Sequence, residues 1–344
     1  MTEQKRALKA LFMAMIIAAA ATFLPASAAH ADPASQAGTN CSLVQLASLD
    51  METQPDGTFA VPVALNGRNV NLLVDTGSQT SSVSSETARE FGLGIRNIGR
   101  VGQFFNGIII YQSATIDSYK LGESTSKDGG DFIVLPDGMI EPSVYGMLGP
   151  DILQHYDIEF DFLRGKFNLF QPAICDSDVV YWTKDAHAEL PVKFDGAHHI
   201  VTTVVLDGKP MTVIVDSGSS HSFMSWTTAK QVFGEDGKNP DVKLLTIARI
   251  NNGRPVQIYS HPFVLLDFNG VAVKNPDIYV VADNYFPARW RDETQIILGL
   301  SVLRQLHVFV QYGKQKLYLT AAETNPPAIP PPAAPGVPAH PAGP

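Results

Sequence analysis

Val63-Ala-Leu-Asn-Gly-Arg-Asn-Val-Asn-Leu-Leu-Val-Asp75-Thr-Gly-Ser78 recurs without a gap as Val204-Val-Leu-Asp-Gly-Lys-Pro-Met-Thr-Val-Ile-Val-Asp216-Ser-Gly-Ser219, at an offset of 141 residues. A second pair follows at an offset of 150. Met147-Leu-Gly-Pro-Asp-Ile-Leu153 through Lys166-Phe-Asn-Leu169 matches Ile297-Leu-Gly-Leu-Ser-Val-Leu303 through Lys316-Leu-Tyr-Leu319. Self-similarity over such a span means that one structural unit occurs twice. Working outward, the repeat predicts lobe 1 over 41–175, lobe 2 over 189–322, and a polar connector over 176–188 containing Asp176, Asp178, Lys184 and Asp185.

Within each copy, short β-branched and aromatic runs alternate with turn residues. Asn66-Gly67, Asp207-Gly208, Asn106-Gly107 and Asn252-Gly253 are two-residue hairpin signals, because Asn and Gly accept the positive φ angles that such turns need. Only Thr87–Phe91, Thr228–Phe233, Pro150–His155 and Ser301–Leu306 suggest short helices. The fold class is therefore all-β, as two similar lobes in one chain.

Composition narrows the function. The 344 residues include 25 Lys+Arg against 34 Asp+Glu, for a net charge of −9, with 45% hydrophobic residues and two cysteines. That is core enough to fold, but the wrong sign for displacing counterions from nucleic-acid phosphate. Residues 1–31 read as a signal peptide: Lys5, Arg6 and Lys9 precede an apolar run from Ala10 to Leu24, then Ala26-Ser-Ala28 and Ala29-His-Ala31 offer cleavage sites. Export to the periplasm or the medium is expected, with no membrane span in the rest of the chain. In oxidising surroundings Cys41 and Cys175, which bracket lobe 1, are expected to form a disulfide. Residues 325–344, rich in Pro, Ala and Gly, are expected to be a disordered, extended tail.

The chemistry sits in the repeated Asp-Thr/Ser-Gly-Ser. Each copy puts a carboxylate directly after an apolar strand, where it is costly unless paired or hydrogen-bonded. Gly77 and Gly218 let the chain turn and bring an N–H towards the carboxylate. Ser78 and Ser219 are expected to donate to an outer carboxylate oxygen, and Thr76 and Ser217 to tie the two loops together. One such motif would be an ordinary Asx-turn. Two at equivalent places in a duplicated chain bring Asp75 and Asp216 face to face.

These features resemble the aspartic peptidases of the pepsin and retropepsin type, here in an exported, bacterial-looking two-lobe form. Each half of that family supplies one Asp-Thr/Ser-Gly and, later, two apolar residues and a Gly, matched here by Met147-Leu148-Gly149 and Ile297-Leu298-Gly299. The resemblance covers about residues 43–320 and departs only mildly, with Ser217 for Thr. It implies an active site between the lobes, Asp75 and Asp216 as the catalytic pair, a peptide or protein substrate, and no cofactor or metal. Two carboxyls this close share one proton. The ionised one would activate a water while the protonated one donates to the scissile carbonyl, with no covalent intermediate. The family closes its cleft with hairpin flaps, so Phe104-Phe105-Asn106-Gly107 and Asn252-Gly253, flanked by Arg249 and Arg254, are flap candidates in a chain working as a monomer.

Rival chemistries fare worse. The chain has no G-x-S-x-G for a serine hydrolase and no H-E-x-x-H for a zinc hydrolase. His221 reads as a local polar contact and His198-His199 as a solvated turn. The alternative from another class is a non-catalytic, exported peptide-binding pseudo-protease or interaction module.

Overall fold

A computed structural model describes residues 43–103, 109–172, 179–250, 254–286 and 295–322. Cys41, Cys175, the residues before Leu43, the tips Phe104–Gly107 and Asn252–Gly253, and the 325–344 tail lie outside the described residues.

Among the described residues, which are mostly β, the strands form three sheets. In lobe 1 the sheet order is Ile95–Gln103, Ile109–Ile116, Gly130–Leu135, Ser82–Ser84, Gly146–Leu148, Arg68–Val74, Phe59–Leu65, Tyr119–Leu121 and Ser124–Ser126. Lobe 2 repeats it strand for strand: Lys243–Ile250, Arg254–Ser260, Ile278–Val281, Ser222–Ser225, Ile296–Leu298, Lys209–Val215, Ile200–Leu206, Leu265–Phe268 and Val271–Lys274. Off this path, Glu52–Thr53 pairs with the strand at Phe59, and Lys193–Phe194 with the one at Ile200. The Asn66-Gly67 and Asp207-Gly208 turns carry the positive φ angles expected of them, 49° and 78° in the first and 46° and 77° in the second.

Alternation explains how each lobe is layered. Val70, Leu72 and Val74 face the main core while Leu73 points to the opposite face. Met211, Val213 and Val215 do the same in lobe 2, with Ile214 opposite. Four short helices sit where the sequence suggests: Ser85–Glu90, Pro150–Leu153, Trp226–Phe233 and Leu300–Leu303. Ser84 and Ser225 cap two of them, accepting the N–H of Thr87 and Thr228, each at 3.0 Å.

A six-stranded sheet joins the lobes, with three strands from each: Gln45–Asp50, Lys166–Phe170, Asp157–Asp161, Leu306–Gln311, Lys316–Ala321 and Ala188–Pro191. At its centre Asp157–Asp161 pairs antiparallel with Leu306–Gln311, Glu159 opposite Phe309. Glu159 is fully buried, and its charge is satisfied by Asn168, Tyr181 and His307 at 2.5, 2.8 and 2.8 Å. This sheet fixes one lobe against the other, as a site shared between them requires. Among the described residues no helix is long and apolar enough to cross a membrane.

Candidate active site

Parallel pairing places each acidic loop. Leu148 lies beside Val74, and the Asp75 N–H donates to the Leu148 carbonyl at 3.0 Å. Leu298 lies beside Val215, and the Asp216 N–H donates to the Leu298 carbonyl, also at 3.0 Å. The glycines that follow those leucines pack under the loops. A Cβ on Gly149 would stand 2.8 Å from Ser78 Oγ, and one on Gly299 would stand 2.7 Å from the Ser219 carbonyl oxygen.

The two loops meet with near-perfect reciprocity. Thr76 Oγ1 donates to the Val215 carbonyl at 2.7 Å and accepts the Ser217 N–H at 3.0 Å. Ser217 Oγ donates to the Val74 carbonyl at 2.8 Å and accepts the Thr76 N–H at 3.1 Å. All four bonds are buried, so each closes a backbone group that has no water to turn to.

Gly77 and Gly218 are glycines because of the opposite carboxyl. A Cβ on Gly77 would lie 2.3 Å from Asp216 Cγ, and one on Gly218 would lie 2.3 Å from Asp75 Cγ. Their N–H groups donate to Oδ1 of Asp75 and Asp216 respectively, each at 2.9 Å. Here the structure corrects the sequence reading of Ser78 and Ser219. The Ser78 hydroxyl donates to the Asp75 backbone carbonyl at 3.0 Å, and the Ser219 hydroxyl donates to the His221 carbonyl at 2.7 Å. A hydroxyl has one proton to give, so the carboxylates are served instead by the backbone amides of Ser78 and Ser219.

Asp75 and Asp216 are 8% and 4% exposed and lie within hydrogen-bonding reach of each other. Burial pushes both above the usual carboxylate range, with the loop amides pulling the other way. Asp216 rises furthest, since the Asp75 charge adds to its burial. Each carboxyl therefore favours its protonated form more than an isolated, solvated Asp does.

The comparisons with known proteins agree with this geometry. A family model described as gag-polyprotein putative aspartyl protease matches residues 61–155. A second, described as aspartyl protease, matches residues 202–302. Each match spans one Asp-Thr/Ser-Gly and its partner Gly, and together they cover more than half of the chain. The chain belongs to the pepsin and retropepsin-like aspartic peptidases. No curated protein matches it.

Two neighbours of this aspartic peptidase site escaped the sequence reading. His198 is exposed, as a turn residue should be, but His199 is fully buried. Its Nδ1 lies 2.7 Å from Asp195 Oδ2, and it is close enough for its charge to act on Asp75. The Asp207-Gly208 hairpin was the available signal, since a two-residue turn there pairs Ile200 with Val215 and sets position 199 level with Asp216. Tyr285, at the end of a short helical turn Asp283–Tyr285, is raised by burial and by the Asp216 charge. Its ring packs on Phe223 at 5.1 Å. Nothing in the local sequence marks it. His221 is buried against Tyr279, ring centroids 5.2 Å apart.

Proposed function

We propose that the chain is a single-chain aspartic endopeptidase in which Asp75 and Asp216 share a proton and activate a water for direct attack on the peptide carbonyl. The reciprocal seating of each carboxyl against the other loop's glycine carries this reading. It leaves two desolvated acids side by side, each fed by two amides, which is the arrangement for one base and one acid working on one water. The ionised carboxylate takes a proton from the water as its oxygen bonds to the carbonyl carbon. The other carboxyl donates its proton to the carbonyl oxygen. Collapse of the tetrahedral adduct then returns a proton to the leaving nitrogen. No acyl-enzyme forms.

Two flaps are part of the proposal. The hairpin arms Ile95–Gln103 with Ile109–Ile116, and Lys243–Ile250 with Arg254–Ser260, occupy the same edge position in their sheets. That equivalence favours a cover from each lobe. The enzyme is further proposed to act as a monomer after export to the periplasm or the medium, with Cys41 and Cys175 joined.

The test is incubation of the mature protein with a diverse peptide mixture at several pH values, read by mass spectrometry. Cleavage blocked by a statin-type transition-state mimic and absent from Asp75→Asn and Asp216→Asn is the expected result. Peptide binding without cleavage would favour the pseudo-protease instead.

A further inference from the structure

Position 199 is the lobe-2 counterpart of position 58. In lobe 1 that place holds Thr58, whose N–H and hydroxyl donate to Asp56 Oδ1 at 2.8 and 2.6 Å, a self-contained turn. In lobe 2 it holds His199, and position 195, the counterpart of Gln54, holds Asp195. Asp195 Oδ1 accepts the N–H of Ala197 and of His199, at 2.9 and 3.1 Å, while Oδ2 lies 2.7 Å from the imidazole Nδ1. Ile200 pairs with Val215, so the antiparallel register sets position 199 level with Asp216 on the adjoining strand. A turn needs no imidazole, as Thr58 demonstrates. Burying one beside two carboxyls is costly unless its charge is used.

We propose that the Asp195–His199 pair is a positioning element of the dyad, setting the pH at which Asp75 and Asp216 hold a single proton. The inference rests on the peptidase reading above. The ionisable groups around the imidazole are Asp195 on its own turn and Asp75 from lobe 1, whose carboxyl feels the ring's charge, with Asp216 level with it in the register of the adjoining strand. A cation there favours every ionised state of the dyad, so both of its protons leave at lower pH than they would from two isolated buried acids. Two observations agree. His199 is among the groups that pull Asp75 down against its burial. Burial raises Asp195, yet the hydrogen bond and charge of His199 hold it at about 2.

The experiment compares the pH profile of kcat/KM for the wild type with that of His199→Gln and of His199→Thr, the lobe-1 residue, with thermal melts as the check on folding. Loss of the cation is expected to move the whole bell to higher pH by about one unit. Superimposable profiles from folded variants would overturn the proposal and leave the peptidase reading intact. A wild type that cleaves nothing would sink that reading, and so would not by itself decide the role of His199. A second measurement needs no activity: carbon-13 NMR titration of the dyad carboxyls in the wild type and in His199→Gln. Loss of the cation should raise their midpoints by about one unit. Unchanged midpoints would overturn the proposal.

Discussion

Lobe 1 and lobe 2 agree wherever the dyad depends on them and part company one step away. The loops at Asp75 and Asp216 share their amide bonds, their crossed hydroxyls, their 2.3 Å approaches and their parallel partner strands. Around them the copies have diverged. Asp151 accepts the N–H and hydroxyl of Ser81 and the hydroxyl of Thr80, whereas its counterpart Ser301 accepts the Ser222 N–H and donates its own hydroxyl to the Asp277 carbonyl. Gln154 bonds locally, whereas Arg304 reaches across to the Gly57 carbonyl of lobe 1 at 2.7 Å. Thr58 faces His199. A two-carboxyl site tolerates no difference in what holds the carboxyls, but each surrounding support can be met in more than one way.

The glycines offer the hardest way to break the symmetry. Gly77→Ala and Gly218→Ala each place a methyl carbon inside the opposite carboxyl, so either should abolish cleavage and cost about 3 kcal/mol of stability, the upper end for overpacking. Denaturant melts and peptide assays on both variants check this. Equal damage supports the symmetric account, and a tolerated alanine on one side alone would break it.

The crossed hydroxyls come next. Thr76→Val and Ser217→Ala each strand one buried N–H and one buried carbonyl, at about 2–4 kcal/mol together. The double variant should lose close to the sum, because the two hydroxyls serve different backbone groups. Ser217→Thr, which writes the lobe-1 residue into lobe 2, should change stability by under about 1 kcal/mol.

These sites were legible in the sequence because a duplication prints the same local motif twice, and the motif itself supplies the carboxylate, the turn and the hydroxyls. The hairpins were legible for a similar reason: the turn chemistry at Asn66-Gly67 and Asp207-Gly208 is a property of neighbouring residues. What the motif does not contain was misread. Ser78 and Ser219 satisfy carbonyls, because the loop's own amides already occupy the carboxylates. His199 lies 17 residues before Asp216 in a stretch that looks polar, and only the pairing of Ile200 with Val215 buries it there. Tyr285 feels the Asp216 charge from a loop that no local motif marks. Long-range contacts of this kind are set by how strands stack, which local residue chemistry does not encode.

A pH comparison separates the lobes' contributions to stability. Both dyad carboxyls are raised, so the folded state binds more protons than the unfolded chain, and stability is lost as pH climbs from the ordinary carboxylate range through the dyad's own. Asp216→Asn removes that penalty and should melt several degrees above the wild type at pH 7 but not at pH 3. Asp195 has the opposite sign. Held at about 2, it stabilises the fold above the ordinary Asp range and loses this as pH falls towards 2, by an amount that partial exposure keeps modest. His199→Gln should therefore flatten the acid side of the melting profile. An unchanged acid side would contradict the ion pair.

The smallest contrast lies in the counterpart pair 154 and 304. Arg304→Ala removes a buried cross-lobe bond and should cost about 1–3 kcal/mol, while Gln154→Ala should stay within about 0.5 kcal/mol. Similar losses at both would show that the bond to Gly57 contributes nothing to holding the lobes.

The central claim is that Asp75 and Asp216 act as one catalytic unit drawn from two lobes. The most direct measurement is kcat for cleavage of one peptide by the wild type, Asp75→Asn, Asp216→Asn and the double variant. Residues that act as a unit are grossly non-additive. Each single variant should fall by at least about 10³-fold, and the double variant should fall no further. Losses that multiply in the double variant, or a single variant that retains substantial activity free of wild-type protein, would contradict the shared dyad.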